Sequence, residues 1–441
     1  MGYREATAYL DALGIDAMKK LAPSRHRIEA LLALLNNPER VVPAIHITGT
    51  NGKTSTARIA SALLTSAGLS VGTYTSPHLQ TVRERIALAG EPISETAFGD
   101  LFDHIHPYVQ AVETELGEKI SYFELLTGMF FLWAAETPVD AVVVEVGLGG
   151  RWDATNVFET SVPVVTNVDL DHTAMLGQTV AEIAAEKAGI VPDGTTLVTA
   201  ERVPETRAVL REKAPQMSVI GKDFDVLENR IAFGGRYLSL RTSLETYEGL
   251  FLPMHGAHQG VNAATALEAV TRLIPAHPLA HEVVMEGLAS VTAFGRLEST
   301  HTEGSSVPIV MDVAHNPAGM SAMVSSLVEA FAFERAVFVL GVLRDKDHDG
   351  IVSEIGRVGG TVIATEAKSS RSVPAEELAT SARSFGMEAE AIGDVNDAIE
   401  RARKLAGEAD LICITGSHYV VGEARDVLLP SRSEVPTPRK R

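Results

Sequence analysis

Apolar residues along this chain follow two rhythms. Short continuous runs rich in Val and Ile predict buried strands at 41–47, 70–75, 141–146, 162–168 and 196–200. Between them, apolar positions recur every three or four residues, which predicts helices over 54–66, 95–116 and 121–136, with two short amphipathic helices inside 5–35. The helix at 121 opens Ser121-Tyr122-Phe123-Glu124, a capping-box pattern. A polar, mobile-looking stretch containing Arg83 and Arg85 leads to Ile86-Ala87-Leu88-Ala89 before the turn at Gly90. Period-two runs between 226 and 242 predict an inserted hairpin, and another helix starts near His258. From about residue 299 a second strand–helix series begins, with strands at 307–313, 336–340, 361–365 and 411–415. Alternation of this kind predicts an α/β protein with two parallel sheets. The expected division is an N-terminal domain at 1–297, a smaller Rossmann-like domain at 298–430, and a disordered tail at 431–441.

Length and composition sharpen this picture. A single core rarely serves 441 residues, so two domains are expected. The formal charge of −19 argues against nucleic acid or an anionic membrane as partner. It also means that an anionic substrate must be held by local positive features. The lone cysteine, Cys413, lies in an apolar run, which excludes an internal disulfide and suits a reducing compartment. The N-terminus lacks a signal-peptide core, and no run approaches the ~20 apolar residues of a membrane span. The expectation is a cytoplasmic monomer that works on small molecules.

Candidate chemistry gathers where strands end. After the first strand comes Gly49-Thr50-Asn51-Gly52-Lys53-Thr54-Ser55, a glycine-rich turn opening a helix. Backbone N–H groups and the positive end of the helix dipole then face one anion, as in a P-loop. Lys53 adds a charge for the β/γ-phosphates, and Thr54 or Ser55 offers a hydroxyl to Mg²⁺. The spacing departs from the usual loop, since Ile47 stands where its first glycine would fall. Glu145 ends a buried apolar strand, where an unpaired carboxylate is costly and where ligands of parallel sheets collect. The turn Gly147–Asp153 follows, with Trp152 as a stacking surface. Another strand leads to Asp169-Leu170-Asp171-His172. Three donors after three strands, Ser76, Glu145 and His172, suit a hard cation that bridges nucleotide phosphates.

Taken in order, these motifs resemble the Mur ligase superfamily, and within it the folylpolyglutamate synthases, including forms with dihydrofolate synthase activity. The match includes Gly49–Thr54, Ser76-Pro77-His78, Glu145–Asn156 and Asp171-His172, then Glu186–Ile190 and Asn262–Ala266. It continues through Gly295–Glu298, Asp312–Pro317 and Asp345-Lys346-Asp347. The resemblance implies that Gly49, Thr50, Asn51, Gly52, Lys53, Thr54 and Ser55 hold ATP, with Asn262, Arg296 and Asp312 as further contacts. It implies Mg²⁺ on Ser76, Glu145 and His172, and His315 near the reaction centre. Lys187 matches a lysine that is carbamylated in this family and lies near a second Mg²⁺. By its own pattern Lys187 reads as a solvated helix lysine, but an unmodified ammonium beside a metal would repel it. Tyr122, Phe123 and Glu124, with Trp152, Asp153 and Ala154, match the pteroate pocket of bifunctional members.

The implied activity is an ATP-dependent amide ligase. A folate carboxylate, or that of dihydropteroate, takes the γ-phosphoryl group of ATP, and the amine of L-glutamate then displaces phosphate. Positioning and charge neutralisation carry most of such chemistry, and a closing two-domain chain keeps water from the acyl phosphate. Four rivals are weighed against this. A related ligase adds glutamate to a non-folate acceptor. Peptidoglycan-precursor ligases carry a domain ahead of the loop, whereas 48 residues precede Gly49 here. A P-loop kinase has no use for the second domain with Asp312 and His315. A non-catalytic nucleotide-binding regulator is disfavoured because Lys53, Glu145 and His172 are all present.

Overall fold

The β-branched runs do form strands, and the strands form three sheets. The structure is a computed structural model, described here for residues 2–14, 24–40, 42–292, 294–301 and 307–429. The expected disordered tail at 431–441 lies outside the described residues. By contacts the chain divides into two compact units, Met1–Thr292 and Ala293–Arg441.

In the first unit the strands are β1 (Ala44–Thr48), β2 (Val71–Tyr74), β3 (Ile86–Leu88), β4 (Glu91–Pro92), β5 (Ala141–Glu145), β6 (Val162–Val165), β7 (Leu197–Thr199) and β8 (Met217–Val219). They form one sheet in the order β4-β3-β2-β5-β1-β6-β7-β8. The pairs from β2 to β8 are parallel, whereas β3 and β4 are added antiparallel at one edge. β1 is therefore central, with Ile47 opposite Glu145 on one side and Val164 on the other. Its five residues are all buried, as expected of a strand covered on both faces. The strand carrying Val162 is shorter than its apolar run suggested, so Thr166–His172 forms a loop beyond it.

The helix Tyr122–Glu136 is apolar nearly all round, which suits a buried helix rather than an amphipathic surface one. Its Phe123 and Phe130 rings pack on Tyr74 at 5.9 and 5.1 Å. Each ring so buried contributes about 1.5–3 kcal/mol. The expected hairpin has a third strand: β9 (Asp225–Ala232), β10 (Gly235–Arg241) and β11 (Thr246–Leu252) make a separate antiparallel sheet. The helix His258–Leu273 follows it.

The second unit has one sheet, of β12 (Glu298–His301), β13 (Pro308–Met311), β14 (Ala336–Leu340), β15 (Thr361–Ala364), β16 (Glu388–Ala391) and β17 (Leu411–Thr415). Its order is β12-β13-β17-β14-β15-β16, with only β12 antiparallel. β12 and β16 are edges, and sequence periodicity missed both. Their polar or alternating residues, Glu298-Ser299-Thr300-His301 and Glu388-Ala389-Glu390-Ala391, lack the apolar run of a central strand. Among the described residues no helix is long and apolar enough to cross a membrane.

Candidate active site

The turn after β1 sits at the middle of the sheet, outside the carboxyl ends of its strands. Gly52 has φ 84° and starts the helix Lys53–Ser66 without a side chain to cap it, so the first-turn N–H groups open toward the loop. A side chain at Gly52 would meet Asn262 Oδ1 at 2.5 Å, and one at Gly49 (φ 152°) would run into Thr166. Both glycines are required by close approach as well as by backbone angle.

The loop after β6 braces this turn, which sequence reasoning did not foresee. Thr50 N–H donates to the Asn167 carbonyl and Asn51 N–H to Asn167 Oδ1, each at 2.9 Å. Thr166 Oγ1 donates to the Asn51 carbonyl at 2.6 Å. Lys53 folds back over the loop, its Nζ 2.9 Å from the Gly49 carbonyl and 3.1 Å from that of Thr50. Asn262 donates from Nδ2 to Gln259 Oε1 at 2.9 Å, which turns its own Oδ1 toward Gly52.

Glu145 is 1% exposed at the end of β5. Its carboxylate accepts the Thr54 hydroxyl at 2.8 Å and the Ser76 N–H at 3.0 Å. The structure thus brings Ser76, Glu145 and the first turn of the helix together. His172 lies on the loop after β6 with φ 49°, its Nε2 3.9 Å from Asp171 Oδ1. Among the described residues, no group of three or more His, Cys, Asp or Glu side chains is arranged to hold a metal. A buried carboxylate beside a hydroxyl at a phosphate-type turn does fit Mg²⁺, which binds through one or two carboxylates plus substrate phosphates rather than in a protein cage.

The polar stretch after β2 is tied down rather than mobile. Glu84 accepts the N–H groups of Leu79, Gln80 and Thr81 at 2.8–2.9 Å. Arg85 donates from Nε to His78 Nδ1 at 2.9 Å and lies 5.3 Å over the Tyr122 ring. Burial, with the Arg85 charge beside it, pushes His78 down to about 3, so it is a neutral acceptor.

Lys187 corrects its own sequence pattern: it is 3% exposed, not solvated. Burial, then repulsion from Lys53, lowers its pKa to about 7. The turn Gly147–Asp153 packs on it closely enough that a Cβ on Gly150 would meet the Lys187 carbonyl at 2.9 Å.

The acceptor-side candidates separate by burial. Trp152 is 49% exposed. Tyr122, Phe123 and Ala154 lie in the core cluster. Glu124 is buried in structural work: it accepts Arg27 Nε at 3.1 Å and the Ser121 N–H at 2.8 Å, closing the capping box. Asp153 accepts Leu148 N–H at 2.8 Å, Thr155 N–H at 3.0 Å and the Thr155 hydroxyl at 2.6 Å.

In the second unit Asp312 follows β13. Its carboxylate accepts Leu297 N–H at 2.9 Å and Ala314 N–H at 2.8 Å. Burial raises its pKa, while Arg296 opposes that shift. His315 Nδ1 pairs with the Val313 carbonyl at 2.9 Å, and its ring lies 5.3 Å from that of His418.

Comparison with known proteins decides the family. Residues 47–270 match the Mur ligase middle domain and 295–418 the Mur ligase glutamate ligase domain. A dihydrofolate synthase/folylpolyglutamate synthase of Mycobacterium tuberculosis is 40% identical, with 92% of this chain and 90% of that protein covered. The chain belongs to the folylpolyglutamate synthase/dihydrofolate synthase family of Mur ligases. The Bacillus subtilis dihydrofolate synthase/folylpolyglutamate synthase is 33% identical over 95% of this chain and 99% of its own. Among solved structures, the M. tuberculosis folylpolyglutamate synthase complexed with ADP superposes with a TM-score of 0.90 at 38% identity, covering 97% of this chain and 98% of that one. The two parallel sheets that the strand–helix pattern predicted are therefore the Mur ligase architecture that the resemblance implied. The turn at Gly49–Ser55 and the carboxylate of Glu145 lie within the middle-domain match, and Asp312 and His315 within the glutamate ligase match.

Proposed function

We propose that this chain is an ATP-dependent amide ligase that joins L-glutamate to the γ-carboxyl of a reduced folate and also accepts dihydropteroate. The observation that carries this is local: a buried strand-end carboxylate, Glu145, shares a 2.8 Å bond with Thr54 at the start of an uncapped, glycine-opened helix. That pairing supports a reading in which acid and hydroxyl face the Mg²⁺ of a bound nucleotide triphosphate, in a chain of this family. Relatives whose names carry both synthase activities, at 40% and 33% identity, support the two acceptors.

In this reading, Gly49, Thr50, Asn51 and Gly52 shape the cradle, and the N–H groups of Lys53, Thr54 and Ser55 meet the phosphates. Lys53 leaves the Gly49 and Thr50 carbonyls to neutralise the transferring γ-phosphoryl group. Asn262 and Arg296 contact the nucleotide, and Asp312, which accepts the Leu297 N–H, holds the bend that carries Arg296. Ser76, Glu145 and His172 are the residues that would hold Mg²⁺, which when bound offsets charge on the phosphates. Trp152 stacks on the acceptor, Tyr122, Phe123, Asp153 and Ala154 support its pocket, and Glu124 anchors the helix beneath. His315 lies by the carboxyl and amine that react.

Lys187 is the proposed site of a carbamate. With its pKa near 7, its amine is substantially neutral at physiological pH and adds CO₂ with loss of one proton. The N-carboxylate then supplies an anion that suits a second Mg²⁺. A Lys187→Ala variant should lose activity that a small carboxylate such as acetate partly restores; full activity without it removes this role.

Hydroxylamine tests the reaction class. Offered with ATP and tetrahydrofolate in place of glutamate, it should trap the activated carboxyl as a hydroxamate. ATP turnover with no hydroxamate, and with phosphate retained on the product, identifies a kinase instead.

A further inference from the structure

His46 lies two residues before the end of β1, on the same face as Thr48, because side chains two apart share a face of a strand. Its ring is 0% exposed and packs 4.9 Å from Phe158. Nε2 is 2.9 Å from Thr155 Oγ1, and Nδ1 is 3.2 Å from Thr160 Oγ1. Thr155 spends its single hydroxyl proton on Asp153 Oδ1 at 2.6 Å. Its oxygen must therefore accept from His46, which assigns the proton to Nε2 and leaves Nδ1 to accept from Thr160. Burial without a charged partner lowers the imidazole pKa to about 3, so the neutral ring persists across the working pH range.

The result is a directed chain of donors, Thr160 to His46 to Thr155 to Asp153, ending on a carboxylate that also accepts the Leu148 N–H. Thr48, the next residue on the same face, donates to the Gly149 carbonyl at 2.6 Å. Two side chains of the central strand thus hold the Gly147–Ala154 turn from one side, while the phosphate loop at the end of that strand is braced separately by Asn167 and Thr166.

We propose that His46 is a positioning residue for the acceptor: through Thr155 and Asp153 it fixes the turn that carries Trp152, without acting on the nucleotide. The inference rests on the reading of that turn as the acceptor side.

Its test is a split in Michaelis constants. Thr155→Val keeps the shape and removes the hydroxyl, and should raise KM for tetrahydrofolate at least ~10-fold, the factor for a loss of about 1.4 kcal/mol, with KM for ATP within twofold. Thr155→Ser restores the hydroxyl and should restore the folate KM. His46→Gln, which keeps a donor near the Nε2 position, should be milder than His46→Leu. Equal rises in both constants, or no change in the folate constant, overturn the proposal. Trp152→Ala, on a half-exposed side chain, separates the two readings. If it raises the folate KM while Thr155→Val does not, the turn is the acceptor side and His46 does not position it. If Thr155→Val alone raises the folate KM, the relay stands and stacking by Trp152 is rejected.

Discussion

Two buried carboxylates stand at the carboxyl ends of parallel strands, Glu145 on β5 and Asp312 just past β13, and they are spent differently. Asp312 accepts two backbone N–H groups of its own neighbourhood, Leu297 and Ala314. It serves as a staple for the bend where Gly295 and Leu297 take φ 62° and 51°. A left-handed leucine costs on the order of 1–3 kcal/mol, and the bond to its N–H helps hold it there. Glu145 instead accepts one hydroxyl and one N–H from two different elements, the helix after β1 and the loop after β2. Both donors belong to the segments that flank the phosphate turn, so this acid faces the cradle rather than its own bend. Strand-end position alone does not separate a structural acid from a chemical one; the partners do.

That contrast can be broken most severely from the loop side. Lys53→Ala should lower turnover on the order of 10³-fold, because the transferring phosphoryl group loses its positive contact. Steady-state phosphate release measures it, and turnover within tenfold of the parent contradicts the cradle reading. Next comes Glu145→Gln, which keeps an acceptor for the Ser76 N–H, lets the Thr54 hydroxyl accept instead of donate, and removes the charge. Turnover should fall at least ~100-fold with little change in thermal midpoint. Near-normal turnover at low Mg²⁺ would show that this acid is as structural as its counterpart.

Asp312→Asn should behave the other way. Its amide turns one donor toward a backbone N–H, so chemical unfolding should show a loss of about 1–3 kcal/mol. An unchanged unfolding curve would place Asp312 with Glu145 rather than against it. The last effect depends on pH and is expected at Lys187. Its ammonium is held to about 7 in the folded chain against 10.5 for an ordinary lysine. Between those values the unfolded chain binds the extra proton, so stability rises with pH; below about 7 the whole cost of burial is present. In CO₂-free buffer, Lys187→Met should therefore be more stable than the parent near pH 6, with the advantage shrinking toward pH 10. A constant difference across that range refutes the buried neutral amine.

How much of this could be read from the sequence depends on what each residue's partners are. The central strands were legible because Val and Ile runs need no distant partner to declare themselves. β12 and β16 were not, since edge strands mix polar and apolar residues and lack the apolar run of a central strand. The phosphate turn was legible from Gly49, Gly52 and Lys53, whereas its braces Thr166 and Asn167 sit more than a hundred residues away in an ordinary-looking polar segment. Lys187 looked solvated because helix periodicity does not report what the Gly147–Asp153 turn places over it. Glu124 fitted a substrate role by resemblance, but Arg27 and the Ser121 N–H already occupy it. His46 gave no signal, as a single polar residue in an apolar strand is meaningful only once Thr155 and Thr160 are beside it.

The central claim is that this chain makes an amide bond at the expense of ATP. The most direct measurement follows phosphate release and folate mass in one reaction, with ATP, tetrahydrofolate and glutamate supplied singly, in pairs and all together. Sustained phosphate release should need all three, and each ADP formed should be matched by one glutamyl residue gained on the folate. ATP turnover indifferent to glutamate, with the folate left at its starting mass, would contradict the account.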